Sequence, residues 1–387
     1  MNDIKKIDAE KIAHTYGRFD LALKEGQGAI AKDFDGREYV DFTSGIGVTS
    51  LGYCDPDWVE AVSKQAARLQ HTSNLFYTEP QVRLAEALTE RTGMARVFFA
   101  NSGAEANECA IKTARKYGNT RSGNIEHEIV TLENAFHGRT MATITATGQK
   151  VFHKDFYPFV EGFSYCKAND KDMLHALVTD KTCAIMMELV QGEGGVLVID
   201  QDFVKEAETI CREKDILLII DEVQTGIGRT GTFFAYEQYG IHPDLVTFAK
   251  GIGGGLPLGG VLFNERTKDV LTYGDHGTTF GGNPVVCAGA NVVMNKLDES
   301  FLQQVSSKGA YLREQLAAIP GVEDISGLGL MIGFRVAGRA SADVVKDCMK
   351  KGLMMLTAKD KVRLLPPLTI TKEEMDRGLA VLRSALG

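Results

Sequence analysis

Short runs that are apolar throughout alternate with longer stretches of helical periodicity from about residue 55 to about residue 283. The runs are VFFA at 97–100, IVTL at 129–132, CAIMMEL at 183–189, ILLIID at 216–221 and LVTFA at 245–249. Strands without polar alternation are buried on both faces, as in a parallel sheet covered by helices. The pattern predicts an α/β fold whose large domain is built on a mostly parallel sheet.

The two ends of the chain have a different pattern and predict a smaller α+β domain. Residues 26–42 form a predicted hairpin about Asp35-Gly36, a strong turn signal. After residue 284 we expect one long helix to about 318, a strand at GLGLMIGFRV, a helix near 341–351 and a final strand-turn-helix. Because no repeat or linker separates the parts, they should share an extensive interface. The predicted division is an N-terminal segment that joins the small domain, a large domain and a C-terminal small domain, at 1–52, 53–283 and 284–387.

Composition restricts the partners and the compartment. The 387 residues are 44% hydrophobic and carry a formal net charge of -8, without the basic surplus that favours nucleic acid or anionic membranes. The seven cysteines are never spaced as C-x-x-C, which predicts free thiols and no metal site. The N-terminus lacks the apolar core of a signal peptide, and no run approaches the ~20 apolar residues of a membrane helix. We expect a cytoplasmic protein that binds small molecules.

Asp221 and Lys250 each follow the end of an apolar run, at the edge where parallel sheets place ligands. A partly desolvated aspartate suits a protonated pyridine nitrogen, and a desolvated lysine suits Schiff-base formation and proton transfer. Taken singly, each residue has a simpler explanation than catalysis. Asp221 could cap the following turn, and the Lys250 side chain could extend to solvent. Together with the neighbouring motifs, the two residues favour chemistry.

The segment ANSGAEANECAIKTARKYG places small residues between a strand end and the first turn of a helix. Ser102, Gly103 and Ala104 would let backbone N–H groups approach an anion, and a helix N-terminus favours a phosphate. A plain capping box, with Ser102 as N-cap and Glu105 three residues later, explains the same residues. The two interpretations are compatible because both use the same unpaired N–H groups.

A third motif, AFHGRT, follows the strand IVTL and so lies at the same edge of the sheet. Phe136 is suited to stack on a flat heteroaromatic ring, and Arg139 is suited to hold a carboxylate by two hydrogen bonds. Alone, such a motif more often reflects core packing and a surface arginine. His137 should line the pocket, while His71 and His276 should be structural, since their spacing fits no metal ligand set.

The motifs SGAEANE, FHGRT, QGEGG, DEVQTGIGRTG, FAKGIGGGLPLGG and TTFGGNP resemble those of class III pyridoxal-phosphate (PLP) aminotransferases in order and spacing. The resemblance runs from about Gly17 to the C-terminus. It implies a fold-type-I PLP-dependent transferase, a homodimer with shared active sites, and PLP held by Lys250 as a Schiff base. The segments HTSNLFYTEPQ and LVQGEGGV are most similar to members that act on N-acetylornithine, with 2-oxoglutarate as amino acceptor, in arginine biosynthesis.

The resemblance also implies roles for single residues. Lys250 would move the proton, Asp221 would pair with the pyridine nitrogen, and Phe136 would stack on the ring. Thr279 of the partner subunit would reach the phosphate, and Thr278 would lie beside the substrate. The remaining cofactor contacts are implied at Ser102, Gly103, Ala104, Glu222, Val223 and Gln224.

The same resemblance implies a switch between two half-reactions. Arg139 would hold the carboxylate distal to the reacting amine, and Arg363 would bind the α-carboxylate of glutamate. Glu193 would pair with Arg363 while the ω-amine donor is bound, because the reacting carbon of that donor bears no carboxylate. An unpaired buried arginine is unfavourable, so a glutamate that moves in and out serves both substrates.

The donor stays open among several ω-amines. Residues 42–48, FTSGIGV, are small and apolar where ornithine aminotransferases tend to carry a tyrosine, which favours an acylated nitrogen over a free ammonium. Ornithine, succinylornithine, N-succinyl-diaminopimelate semialdehyde chemistry and 4-aminobutyrate remain alternatives, because the fold does not choose the donor.

Two other classes of protein are disfavoured. Gly226-x-Gly228-x-x-Gly231 formally matches the fingerprint of an NAD-dependent dehydrogenase. Those glycines begin several residues after the strand, and TFFAYEQYG does not open a helix, so the fingerprint lacks its context. The run GIGGGLPLGG lacks G-K-[ST], which excludes a P-loop. A catalytically inactive binding protein is disfavoured because Lys250, Asp221 and both arginines are present.

Overall fold

The computed structural model describes residues 2–123 and 127–387. The predicted hairpin about Asp35-Gly36 is confirmed, because the two strands on either side of that turn pair antiparallel. Gly36 has a φ of +80°, a conformation that glycine adopts at little cost. The N-terminal elements are α1 (Asn2–Lys11), β1 (Leu23–Gln27), β2 (Ile30–Asp33), β3 (Glu38–Asp41), the short turn α2 (Ser44–Gly47), α3 (Pro56–Arg68) and α4 (Glu79–Thr92).

The alternating region forms the central layer of the molecule. Its elements are β4 (Arg96–Ala100), α5 (Gly103–Ser122), β5 (Glu128–Leu132), α6 (Met141–Ala146), β6 (Phe163–Cys166), α7 (Lys171–Leu177), β7 (Thr182–Met187), β8 (Val190–Gln191), β9 (Leu197–Val198), α8 (Gln201–Glu213), β10 (Leu217–Asp221), α9 (Tyr236–Tyr239), β11 (Leu245–Phe248) and β12 (Gly259–Phe263). Seven strands form one sheet in the order β4–β12–β11–β10–β7–β5–β6. Neighbours pair parallel except at β12, which is antiparallel to β11 and β4. The predicted mostly parallel sheet is confirmed.

Burial on both faces explains why these strands are apolar throughout. Every residue of β7, β10, β11 and β12 is buried. Along β10, Leu217 and Ile219 belong to the apolar cluster that contains α5, while Leu218 and Ile220 belong to the one that contains α8. Side chains of a strand alternate between its two faces, so the sheet is sandwiched between helices.

The C-terminal elements form a second, smaller layer. They are α10 (Pro284–Lys296), α11 (Glu299–Ala317), β13 (Val322–Leu328), β14 (Met331–Val336), α12 (Ser341–Lys350), β15 (Leu353–Met354), β16 (Leu356–Ala358), β17 (Lys361–Leu364) and α13 (Lys372–Leu386). Four strands make a sheet in the order β13–β14–β17–β16. β15 instead pairs parallel with β3, with Leu353 opposite Val40, so the two ends of the chain share a sheet.

Two expectations for the C-terminal part are wrong. The predicted single helix from 284 to 318 is divided at Leu297, a buried residue, after which the Asp298 carboxylate caps α11 by accepting the Phe301 N–H at 2.7 Å. Such aspartates favour a new helix start over continuation of the previous helix. The predicted single strand GLGLMIGFRV contains a turn, because Leu328 of β13 pairs with Met331 of β14. Gly329 there has a φ of +52°.

The predicted extensive interface is present as one apolar cluster that contains residues of both layers, such as Ile220 and Leu364. In addition, α10 packs closely on α3, since a Cβ atom added to Gly289 would lie 2.7 Å from Trp58 Nε1. No helix of residues 2–123 or 127–387 is long and apolar enough to cross a membrane. Over the same ranges, no group of histidine, cysteine and acidic side chains could hold a metal ion.

Candidate active site

A cavity of about 460 Å³ opens where the parallel strands end. Its walls come from the segments that follow β4, β5, β7, β10 and β11, which meet at one edge of the sheet as expected for an α/β ligand site. Ten residues predicted from the sequence line it, namely Ser102, Gly103, Ala104, Phe136, His137, Arg139, Asp221, Val223, Gln224 and Lys250.

The Asp221 carboxylate is held through both of its oxygens. Asn107 Nδ2 donates to Oδ2 at 2.8 Å, and His137 Nδ1 lies 2.7 Å from the same atom. The Val223 N–H donates to Oδ1 at 3.0 Å. Asp221 is 3% exposed, so its carboxylate is a buried group at the wall of the cavity. A cationic group in the cavity would be the natural partner for that carboxylate.

Lys250 lies two residues after the end of β11 and begins a tight 3-10 turn that ends at Gly253. Its φ of +49° is unusual for a residue with a side chain, and such conformations persist where the surrounding structure determines them. Burial lowers the pKa of the Lys250 ammonium, an effect opposed by the negative charges of Asp221 and the nearby glutamates. A lysine with a lowered pKa is more often neutral and is therefore a better nucleophile and base.

The start of α5 forms a cradle for an anion. Ser102 caps the helix by accepting the Glu105 N–H at 3.2 Å, while the Glu105 carboxylate accepts the Asn101 N–H at 2.8 Å. Gly103 approaches the Asp221 loop closely, because a Cβ atom there would lie 2.6 Å from Val223 Cγ1. The 20-residue helix thus directs its N-terminal dipole and free N–H groups at the cavity.

Phe136 and Arg139 also line the cavity. The Phe136 N–H donates to Glu188 Oε2 at 2.9 Å, which fixes the loop after β5 against the strand end of β7. Burial, together with the charge of Asp221, raises the pKa of the Glu188 carboxyl well above its usual value. Arg139 is exposed to the cavity, and no carboxylate among the described residues lies within ion-pair distance of it. Among the described residues, the Arg139 guanidinium therefore has no acidic partner and is available to bind an anionic ligand.

Glu193 and Arg363 contact one another at the edge of the site. Arg363 Nη1 lies 2.7 Å from Glu193 Oε1 and also donates to Gln224 Oε1 at 3.1 Å. Arg363 is 2% exposed and reaches the site from β17, whereas the Glu193 side chain is 29% exposed. The pair thus joins a buried arginine to a more exposed glutamate.

Three predicted residues lie elsewhere. Glu222 does not line the cavity, because its carboxylate accepts hydrogen bonds from the Tyr236 N–H at 2.8 Å and from the Thr225 hydroxyl. Burial raises the pKa of the Glu222 carboxyl to about 7. Thr278 accepts from Asn101 Nδ2 at 3.1 Å, and Thr279 is exposed, so neither lines the cavity of this chain.

Asn107 and Glu188 were not predicted as site residues. Asn107 lies one helical turn after Gly103, and residues four apart share a helix face, so the face that carries the cradle also carries Asn107. Glu188 follows a wholly apolar strand, which is the same signal that identified Asp221. Both could have been found from the sequence.

Comparison with known proteins agrees with this geometry. Residues 11–386 match the model of the family described as aminotransferase class-III. An acetylornithine aminotransferase from Haemophilus ducreyi is 54% identical over 387 residues, covering 100% of this chain and 98% of that protein. A solved N-acetylornithine aminotransferase from Stenotrophomonas maltophilia has a TM-score of 0.85 and 37% identity, with 98% of both chains covered. An ornithine aminotransferase from Toxoplasma gondii has a TM-score of 0.94 and 31% identity, covering 100% and 94% of the two chains.

Proposed function

The chain belongs to the class III aminotransferases, which are PLP-dependent, and we propose that it transfers the ω-amino group of N-acetylornithine to 2-oxoglutarate. The products would be N-acetylglutamate 5-semialdehyde and glutamate, in arginine biosynthesis. The observation that carries the choice of donor is the 54% identity, over the whole chain, to an acetylornithine aminotransferase.

The residues of the cavity fit PLP. The anion cradle at Ser102 and Gly103 would hold the phosphate, the buried Asp221 carboxylate would face the protonated ring nitrogen, and Lys250 would reach the aldehyde carbon. Phe136 and Val223 would contact the ring. When bound, PLP supplies an electron sink for the electrons released as a proton leaves the reacting carbon of the substrate.

Lys250 is proposed as the group that moves that proton. Its Nζ atom would take the proton from the reacting carbon of the donor and return it on the cofactor side. The lowered pKa of its ammonium favours this role, because a larger neutral fraction is available as base near neutral pH. Asp221, held by Asn107 and His137, would keep the ring nitrogen protonated throughout.

Two arginines would distinguish the two substrates. Arg139 would bind the donor carboxylate that lies far from the reacting amine, since its guanidinium has no acidic partner among the described residues. Arg363 would bind the α-carboxylate of glutamate after Glu193 has moved away. While the donor is bound, Glu193 would neutralise Arg363, because a buried arginine without a partner is strongly unfavourable.

The turn α2 supports an acylated donor. Gly45 and Ile46 have left-handed backbone angles, with φ of +61° and +67°, which is rare for a β-branched residue. The turn leaves Ile46 43% exposed and Val48 at the cavity wall. An apolar surface at this place suits an acylated nitrogen better than a free ammonium. Ornithine, succinylornithine and 4-aminobutyrate remain the alternative donors.

A homodimer with shared sites is the second part of the proposal. Thr279 is exposed, and Asn74 Nδ2 donates to the backbone oxygens of Thr278 and Gly281. Large apolar side chains are exposed on the same segments, namely Leu75 at 87%, Tyr77 at 98% and Phe280 at 59%. Exposed apolar groups of this size mark protein interfaces. A second copy seated there would be able to place Thr279 of the partner subunit near the phosphate.

Absorption spectroscopy tests the donor directly. The PLP-loaded protein should show the visible band of lysine-bound cofactor, and single additions of N-acetylornithine should bleach it faster than ornithine or 4-aminobutyrate. Lys250→Ala is the control and should lack the band. If another amine bleaches the band fastest, the aminotransferase chemistry stands and N-acetylornithine is the wrong donor.

A further inference from the structure

Phe152 lies outside every motif that identified the site, yet its ring contacts Arg139. We propose that Phe152 is a positioning residue that holds the Arg139 guanidinium for the carboxylate of the donor. Phe152 would thereby help to determine the preference for carboxylate-bearing amines. This inference rests on the proposed role of Arg139 and adds a residue that the family motifs do not contain.

Two aromatic rings hold the Arg139 guanidinium. Its Cζ atom lies 3.9 Å from the centroid of the Phe152 ring and 5.5 Å from that of Phe136. The two rings are 5.7 Å apart and inclined at 74°, so they form adjoining walls of one corner. A guanidinium over a ring face is attracted by the negative charge of that face. Phe152 therefore makes the shorter of the two contacts that fix the charged end of Arg139.

The Phe152 ring is itself held in place by a short turn. Residues Lys150–Phe152 form one 3-10 turn, in which the Phe152 N–H donates to the Gln149 carbonyl at 3.0 Å. The buried Gln149 side chain donates to the Asn134 and Ala135 carbonyls at 3.0 and 3.3 Å. Because Ala135 directly precedes Phe136, this amide ties both rings to the same loop.

The direction of the contact leaves Arg139 able to bind a ligand. A ring against the flat face of a guanidinium leaves the in-plane N–H donors free for two hydrogen bonds to a carboxylate. A long arginine side chain otherwise loses rotamer freedom when its ligand binds, which weakens affinity. Removal of the Phe152 ring should therefore weaken binding of the donor carboxylate and leave the reacting end of the donor untouched.

Two donors that differ only in the carboxylate provide the test. N-Acetyl-1,4-diaminobutane has the reacting amine and the acetamide of N-acetylornithine but no carboxylate. In the PLP-loaded protein, Phe152→Leu and Phe152→Met should each raise KM for N-acetylornithine about three- to tenfold with kcat nearly unchanged. The same variants should leave kcat/KM for the carboxylate-free donor within about twofold of wild type. Phe152→Tyr retains the ring face and should behave as wild type.

Coupling to Arg139 separates positioning from general packing. In an Arg139→Gln background, Phe152→Leu should have no further effect on N-acetylornithine, because the contact it removes is already lost. Phe156 is an exposed phenylalanine four residues later, and Phe156→Leu is the matched control. This variant should leave KM and kcat unchanged for both donors. Binding of N-acetyl-L-norvaline, which has the carboxylate but no reacting amine, should weaken in parallel with KM.

The outcomes distinguish this inference from the proposed function. If Arg139→Gln removes the preference for N-acetylornithine but Phe152→Leu and Phe152→Met do not lower it, the role of Phe152 is wrong and that of Arg139 stands. Equal losses for both donors would make Phe152 a packing residue and would also overturn the inference. If wild type shows no preference for the carboxylate-bearing donor, the proposed role of Arg139 fails, and Phe152 loses its function with it.

Discussion

Replacement of Glu193 by glutamine should separate the two half-reactions. The substitution preserves size but removes the carboxylate that contacts Arg363 at 2.7 Å. In the donor half-reaction the buried Arg363 would then face a neutral amide. In the glutamate half-reaction the α-carboxylate of glutamate supplies the missing charge and no longer competes with Glu193. The first half-reaction should therefore slow, and the second should not.

The size of the effect follows from burial. A hydrogen bond between charged groups contributes ~1.5–3 kcal/mol. Arg363 is 2% exposed, but the Glu193 side chain is 29% exposed, so solvent screens part of the interaction and the lower end applies. About 1.5 kcal/mol corresponds to a change of roughly tenfold in the ratio of the two rates.

Rapid-mixing absorbance measurements give both rates on the same protein. The cofactor band is followed after mixing with N-acetylornithine and, separately, with glutamate. Glu161→Gln removes one negative charge from an exposed side chain and serves as the control for net charge. A ratio of the two rates that is the same in Glu193→Gln as in wild type would refute the switch. A tenfold change of this ratio in favour of the N-acetylornithine half-reaction would show that Glu193 acts in the opposite sense to the one proposed.

Three further predictions concern the walls of the site and its supporting loop. Gly103→Ala should weaken PLP binding at least about tenfold in a fluorescence titration, because the added Cβ atom would lie 2.6 Å from Val223 Cγ1. A second substitution, Val223→Ala, should restore part of the lost affinity. Unchanged PLP affinity in Gly103→Ala alone would contradict the proposed anion cradle. Asn107→Leu removes the 2.8 Å bond to Asp221 and should also weaken PLP binding about tenfold, whereas unchanged affinity would show that His137 and Val223 suffice. Burial raises the pKa of Glu222 from 4.5 to about 7, so the folded state binds the proton more tightly and its stability should decrease as pH rises through that window. Glu222→Gln cannot ionise and should flatten the decrease measured by urea unfolding from pH 5 to 8; parallel curves for the two proteins would count against a raised pKa.

The central sheet could be predicted because its signal is local. Wholly apolar runs bounded by helical stretches indicate parallel strands, and residues that follow such runs, such as Asp221 and Lys250, meet at one edge. The strand β12 was not expected, because GGVLF continues a glycine-rich run and two of its five residues are glycines. A Cβ atom on Gly260 would lie 2.6 Å from both the Phe98 oxygen and Phe248, so close backbone packing, rather than strand propensity, determines this segment.

The remaining site residues depend on contacts between distant parts of the chain. Arg363 lies 139 positions after Gln224 in the sequence. No periodicity in either segment indicates that Arg363 Nη1 donates to Gln224 Oε1. The resemblance implied a pair between Arg363 and Glu193, and the contact of Arg363 with Gln224 was not predicted. Glu222 is the opposite case, because its neighbours Asp221 and Val223 line the cavity, while its own side chain points to the other side of the strand end. Phe152 lies in a turn with no helical or strand pattern, so only the structure reveals its contact with Arg139.

Borohydride reduction followed by peptide mass spectrometry tests the central claim most directly. Reduction of the PLP-loaded protein converts a lysine-bound cofactor into a stable phosphopyridoxyl adduct on that lysine. The account predicts the adduct on Lys250, with loss of the visible band, and its absence in Lys250→Ala. An adduct on a different lysine, or no adduct in a protein that still transfers amino groups, would contradict the assignment of the cavity around Asp221 and Lys250 as the PLP site.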